Sequence, residues 1–220
     1  MTANRRPDQS MIAAFSRLAT STIGNVLDEL GVGGLIVNLR PLVAGRPFCG
    51  PAVTAREICG PFGTYTPADF KVGAILDAAA AGDVVVIAND GAPVSTWGGL
   101  ASLAAKTKGI AGTVIDGGAR DVEEVEAHGY SIHARHLVPT GGRKRIRIED
   151  IGAPITVDGV AVSPGDIIIA DGTGIACVPL DNAAAVLEMA QKFDANDRES
   201  ARLIQSGASL SEAMRRFDTI

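Results

Sequence analysis

Cysteine is scarce in this chain: Cys49, Cys59 and Cys177 are the three among 220 residues. Their number is odd and their spacing wide, with no Cys-x-x-Cys or Cys/His ligand pattern, which excludes a disulfide framework and a zinc motif. They read as reduced thiols packed like small hydrophobes in a cytosolic setting. Positive charge is also in deficit, with 20 Lys and Arg against 25 Asp and Glu and a net charge of -5. Nucleic acid and anionic membrane are therefore not expected as partners, because both demand a clustered positive field. A small anionic ligand stays open through a local site. No stretch approaches the about 20 uninterrupted apolar residues of a membrane span. The first ten residues carry Arg5, Arg6 and Asp8 and run into amphipathic sequence, unlike the apolar stretch of a signal peptide. The expectation is a soluble, cytoplasmic protein.

What is present is a rhythm of helices and strands. With 46% hydrophobic residues there is ample material for a core, and no linker or internal repeat divides the chain, so a single domain over 1–220 is expected. Apolar positions between 9 and 31 predict two short helices, the second capped by Thr20, Ser21 or Thr22 and stopped at Gly31. Residues 53–58 alternate as a strand, with Arg56 off the apolar face. Helix 70–80, strand 83–88, helix 100–108 ending at Gly109, strand 111–116, helix 121–127 and strand 130–136 follow. Gly117-Gly118 is expected to turn the chain sharply between strand and helix. Asp158-Gly159 predicts a two-residue hairpin within 155–162, and short strands at 167–171 and 175–178 complete a β-rich second layer. Asp181 is expected to cap C-terminal helices spanning about 181–217. Helices and strands in this order predict an α/β sandwich.

Two glycine-bearing segments carry the chemistry: Trp97-Gly98-Gly99-Leu100-Ala101 and the run from Val114 to Asp121. Arg120 and Asp121 end the second at a strand-to-helix corner, where open α/β sheets place ligand-binding groups. A guanidinium pairs bidentately with a carboxylate, and amides at glycine corners and helix starts add anion donors. Asp121 is acceptor-only and suits a hard cation such as Mg²⁺, which takes few protein carboxylates and keeps several waters. A 2-oxo acid fits that pair of groups. The competing reading is an exposed Arg-Asp pair on a first turn, with Asp121 only a cap.

The run from Trp97 through Val125, with Gly50-Pro-Ala-Val-Thr-Ala, Ala81-Gly-Asp-Val-Val-Val-Ile and Pro164-Gly-Asp-Ile-Ile-Ile-Ala-Asp, resembles the RraA-like family. That family includes divalent-metal-dependent 4-hydroxy-4-methyl-2-oxoglutarate / 4-carboxy-4-hydroxy-2-oxoadipate aldolases and protein regulators of ribonuclease E. The resemblance covers nearly the whole chain and implies a compact αββα sandwich of the swivelling-domain type, assembled as a homotrimer or a hexamer of two trimers with sites at subunit interfaces. It implies Arg120 and Asp121 as catalytic residues, and Asp121 as ligand to Mg²⁺ or Mn²⁺. The backbone around Gly98, Gly99, Leu100 and Ala101, together with Arg120, is implied to bind the 2-oxo carboxylate. The reaction implied is retro-aldol cleavage or decarboxylation of a 2-oxo acid, releasing pyruvate through an enolate. Asp121 is typically missing from the regulator branch, so it favours an enzyme. The aldolase branch also carries an acid where this chain has Gly99. Asp90, Asp116, Glu123, Glu124 or a neighbouring subunit are candidates to replace it. The alternatives are a non-enzymatic ribonuclease regulator, or a family member that keeps the metal and 2-oxo acid site with a changed reaction.

Other signals have plainer readings. His128, His133 and His136 lack metal-ligand spacing and read as ordinary hydrogen-bonded or surface histidines. Arg143-Lys144-Arg145 with Arg147 reads as a solvated loop or a rim that steers an anionic substrate. Lys106 and Lys108 sit at a helix end, where cations complement the dipole. Trp97, the single Trp, either walls the pocket or packs beside the sheet.

Overall fold

The computed structural model describes residues 6–44 and 46–217. Helices α1 (Gln9–Phe15) and α2 (Thr20–Glu29) open the chain, followed by short strands β1 (Leu35–Ile36) and β2 (Arg40–Pro41). Strand β3 (Phe48–Cys59) leads through a 3-10 turn (Pro67–Asp69) into α3 (Val72–Ala78). Strands β4 (Val84–Ala88) and β5 (Ser95–Trp97) precede α4 (Gly99–Lys108), and β6 (Gly112–Ala119) precedes α5 (Val122–His128) and β7 (Ile132–Leu137). Then come β8 (Ile146–Ile151), β9 (Ile155–Val157), β10 (Val160–Val162), β11 (Ile167–Ala170) and β12 (Ile175–Val178). Helices α6 (Ala183–Gln205) and α7 (Leu210–Phe217) follow.

The sheet is mixed, in the order β1-β12-β11-β3-β4-β6-β7-β2, with β8 against β3 and β5 against the end of β6. Pairs β3–β4, β4–β6 and β6–β7 are parallel, while β11–β3 and β11–β12 are antiparallel. Side-chain alternation sorts the chain into layers. Val84, Val86 and Ala88 share one core with Ile168, Ala170, Ile175 and Cys177, so two sheet halves face each other around the β9–β10 hairpin. Val85, Ile87 and Ile115 turn the other way and pack with Ile75, Ala105 and Val125 of α3, α4 and α5. Ile167, Ile169, Ala176 and Val178 pack under α1, α2 and α6. Helices thus cover both outer faces, giving the expected αββα sandwich. Ile87 illustrates why β4 reads as an uninterrupted apolar run: both faces of a parallel strand are covered.

Several local expectations are corrected. Gly117 and Gly118 do not turn the chain; β6 continues through them to Ala119, and the turn falls at Arg120-Asp121. Gly118 is needed for close approach, since a Cβ there would lie 2.7 Å from both the Val94 carbonyl oxygen and Val138 Cγ2. Thr20, Ser21 and Thr22 do not cap α2, whose N-cap is Ala19 without a side-chain cap. A distant group substitutes: Asp171 accepts from the Thr20 amide at 2.9 Å and its hydroxyl at 2.7 Å. Asp181 lies in a 3-10 turn, and Asn182 is the N-cap position of α6. The helix expected over 70–80 is shorter, and β5 was not anticipated. The hairpin at Asp158-Gly159 stands, with positive φ at both residues (51° and 80°).

Candidate functional site

Strand β5 runs parallel to the end of β6, with Ser95 paired to Gly118 and Trp97 to Ala119. The chain leaves β5 into α4 and β6 into α5, so two helix starts meet at the C-terminal ends of these strands. The Arg120 amide donates to the Trp97 carbonyl at 3.0 Å and locks the two exits together. Asp121 is the N-cap position of α5 with a left-handed backbone (φ 59°, ψ 46°), which Asp tolerates better than most residues. Its side chain does not cap its own helix. Oδ2 instead accepts from the Gly99 amide of α4 at 3.0 Å and lies 3.4 Å from Arg120 Nε. Gly98 is required by contact, because a Cβ there would collide with Asp121 Oδ2 and lie 3.2 Å from Arg120 Cγ.

The first turn of α4 leaves amide donors without helical partners. Gly99 N is taken by Asp121 and Ser102 N by the Gly98 carbonyl at 3.0 Å. Leu100 N and Ala101 N remain, at the positive end of a ten-residue helix. The Leu100 side chain is 83% exposed, so its contribution here is its backbone. Two amides, a half-exposed guanidinium and a carboxylate therefore converge from Leu100, Ala101, Arg120 and Asp121, the groups the sequence singled out. This arrangement can hold a carboxylate beside a cation.

The structure also sorts the carboxylates proposed to replace an acid at position 99. Asp116 is buried and committed, accepting from Arg135 Nε at 2.6 Å and from the Asp158 amide at 2.9 Å. Asp90 is held by Arg56 through contacts of 2.8 and 2.6 Å. Glu124 differs. A Cβ built on Gly99 would clash with Glu124 Oε2 and lie 2.8 Å from its Cδ and 3.0 Å from its Cβ. The Glu124 side chain thus lies across the start of α4, in the volume that a side chain at 99 would fill.

A basic rim stands beside Arg120. Gly141 lies against Arg120, where a Cβ would be 3.0 Å from Nη1, and the Gly141 carbonyl accepts from Arg145 Nη1 at 3.1 Å. Arg145 stacks on Phe62 at 4.9 Å, Lys144 lies 5.5 Å from the same ring, and Arg147 covers Tyr65 at 5.3 Å. The loop thus rests its cations on rings of the 61–67 segment while Arg143, Lys144 and Arg147 stay exposed, which fits the solvated loop or rim expected.

Other candidates resolve without joining the site. Trp97 is buried and stacks with Tyr130 at 6.5 Å, so it packs beneath the sheet. His133 Nε2 meets the Asp171 carbonyl at 2.8 Å and His136 Nε2 the Gly91 carbonyl at 2.9 Å, and burial holds His133 below the usual histidine range. The three cysteines are free thiols; burial pushes Cys49 up to about 12 and raises Cys59 and Cys177, so none is poised as a thiolate. Lys108 Nζ donates to the Leu76 carbonyl at 2.6 Å, a cation at the end of α3. Sequence reasoning missed Glu57, a fully buried carboxyl whose Oε2 accepts from Thr96 Oγ1 at 2.5 Å. Its position in the alternation of β3 was a signal of burial, since Val53 and Ala55 precede it on an apolar face.

The family model described as RraA-like (Aldolase/RraA) matches residues 22–177. The chain belongs to the RraA-like family. A relative from Halalkalibacterium halodurans bearing the provisional name 4-hydroxy-4-methyl-2-oxoglutarate aldolase is 32% identical over 194 residues, 88% of each chain. Protein DlpA of Legionella pneumophila is 29% identical over 88% of this chain, which spans only 31% of DlpA's length. Among solved structures, Streptomyces coelicolor RraAS2, described as an unusual member of the RNase ES inhibitor RraA protein family, superposes with a TM-score of 0.77 at 26% identity. That match covers 93% of this chain and 99% of RraAS2. No helix among the described residues is long and apolar enough to cross a membrane.

Proposed function

We propose that this RraA-like chain is a divalent-metal-dependent lyase that cleaves a 2-oxo acid and releases pyruvate. The observation that carries the reading is the convergence of the Leu100 and Ala101 amides, Arg120 and Asp121 at one helix start. An aldolase name on a relative matched over 88% of both chains supports it.

The donor set fits a hard cation of the Mg²⁺ or Mn²⁺ type. Among the described residues no group of three or more His, Cys, Asp or Glu is assembled, so the protein would offer few ligands and leave the ion its waters, as these ions tolerate. Asp121 would be the ligand, through the oxygen not engaged by Gly99. When bound, the ion supplies Lewis acidity at the keto oxygen. The chain's own groups do the rest. The two amides and Arg120 bind the 2-oxo carboxylate and orient the bond to be broken. Arg120 also offers fixed positive charge as C–C cleavage pushes electrons into the pyruvate half. A homotrimer or hexamer with a second subunit beside the site is part of this reading. It is supported by Leu100, Leu103 and Leu137, apolar side chains exposed around the same corner.

The test couples pyruvate release to lactate dehydrogenase, offering oxaloacetate and 4-hydroxy-4-methyl-2-oxoglutarate with Mg²⁺, with Mn²⁺ and with EDTA. Metal-dependent pyruvate that falls by at least about a hundredfold in Asp121→Ala is the expected outcome. A folded oligomer that makes no pyruvate under any of these conditions refutes pyruvate release from these substrates and leaves the two alternatives: the ribonuclease-regulator reading, which the likeness to RraAS2 supports, and a retained site with a changed reaction.

A further inference from the structure

Retro-aldol cleavage needs a group that takes a proton from the substrate hydroxyl and returns one to the carbon left behind. Of the carboxylates near the corner, Asp121 has one oxygen held by Gly99 and Arg120, Asp116 is locked by Arg135, and Asp90 is paired with Arg56. Glu123 and Glu124 are both exposed in the first turn of α5, and it is the Glu124 carboxylate that lies against Gly99. Glu124 sits three residues after Asp121, in the first turn of α5. The adjacent residues on α4 are Leu100 and Ala101, whose amides are the carboxylate donors. A carboxylate held by those amides would lie next to the Gly99 position that the Glu124 side chain covers. Glycine at 99 leaves room for this conformer of Glu124, because a Cβ there would clash with its Oε2.

We infer that Glu124 is the proton-carrying carboxylate of this site, an assignment that rests on the lyase reading above. The hydroxyl proton of a 4-hydroxy-2-oxo acid passes to the Glu124 carboxylate as the C3–C4 bond breaks. The hydroxyl carbon becomes the carbonyl of the second product, and the bond's electron pair goes to C3 as the enolate. The proton on Glu124 then passes to C3, which gives pyruvate and restores the carboxylate. No electrons are gained or lost overall.

The second half of this sequence can be read in reverse with pyruvate alone. Exchange of the pyruvate methyl protons in D₂O is followed by proton NMR with Mn²⁺ or Mg²⁺ present, and Mn²⁺ affinity is measured separately by electron paramagnetic resonance. The wild type is expected to exchange, and Glu124→Gln to slow exchange by about a hundredfold or more with Mn²⁺ affinity within about threefold of wild type. Glu124→Gln exchanging at more than a tenth of the wild-type rate overturns the assignment while leaving the lyase intact. A Glu124→Gln variant that loses Mn²⁺ binding also overturns it, because the carboxylate would then serve the cation. Failure of the lyase reading has a different signature: wild type that binds Mn²⁺ but neither exchanges pyruvate nor cleaves any 2-oxo acid.

Discussion

Glu57→Gln should stabilise the protein, and the gain should grow with pH across the neutral range. Glu57 is fully buried on β3, Oε2 accepts from Thr96 Oγ1 at 2.5 Å, and Oε1 has no hydrogen-bond partner among the described residues. Burial pushes its carboxyl up to about 8 from an ordinary value of 4.5, with the Thr96 hydroxyl pulling weakly the other way. The folded state therefore holds a proton that the unfolded chain releases. Between about pH 4.5 and pH 8 the unfolded chain binds fewer protons, so stability falls with rising pH by about 1.4 kcal/mol per unit, then levels off. At pH 7 the accumulated cost is about 3 kcal/mol relative to a residue that does not titrate, and somewhat more at pH 8.5. Glutamine keeps the shape and removes the titration. Urea denaturation of both proteins at intervals from about pH 5 to pH 9 measures the difference directly. A stability difference that stays flat across that range refutes the reasoning, because it would mean that Glu57 is not protonated in the fold.

Two further substitutions follow from the geometry. Gly99→Asp sets a side chain on the volume of Glu124, so it should displace that carboxylate and lower turnover by tenfold or more on the assignment above; steady-state assay checks it, and a gain in activity would contradict the role of Glu124. Asp171→Asn keeps the size of a group that accepts from Thr20 and Thr173 amides at 2.9 and 2.8 Å, but turns one acceptor into a donor. Asp171 is half-buried, so the loss should be about 1 kcal/mol in urea denaturation, the net worth of one such hydrogen bond.

Elements whose signals are local were legible in the sequence. Strand β4 reads from Val84 to Ala88 as an unbroken apolar run, Gly109 with φ of 80° ends α4, and Asp158-Gly159 makes the hairpin. Each depends on a residue's own backbone preference or on a face that is covered throughout. The misreadings involve partners remote in the chain. Thr20 has the composition of a cap, yet Asp171 supplies that bond from across the fold. Gly117-Gly118 looks like a turn because glycine marks turns and close approaches alike, and only the packing of Val94 and Val138 separates the two. At the site, Arg120, Asp121 and the α4 start were found from residue type and position. The choice of Glu124 over Asp116 required knowing which carboxylates were already engaged, and ion pairs such as Arg135–Asp116 leave no periodic trace.

Asp121 spans two helices: it begins α5 and seals the first amide of α4. Most helix starts are autonomous, each finished by its own cap, and such starts can drift independently as a sequence changes. Here the finishing group is on loan from the neighbour, so the two helices share a single joint. A perturbation that pulls α5 away also uncovers the Gly99 amide and loosens the turn that presents Leu100 and Ala101. The anion cradle and the acid beside it therefore keep or lose their alignment together, as one mechanical unit.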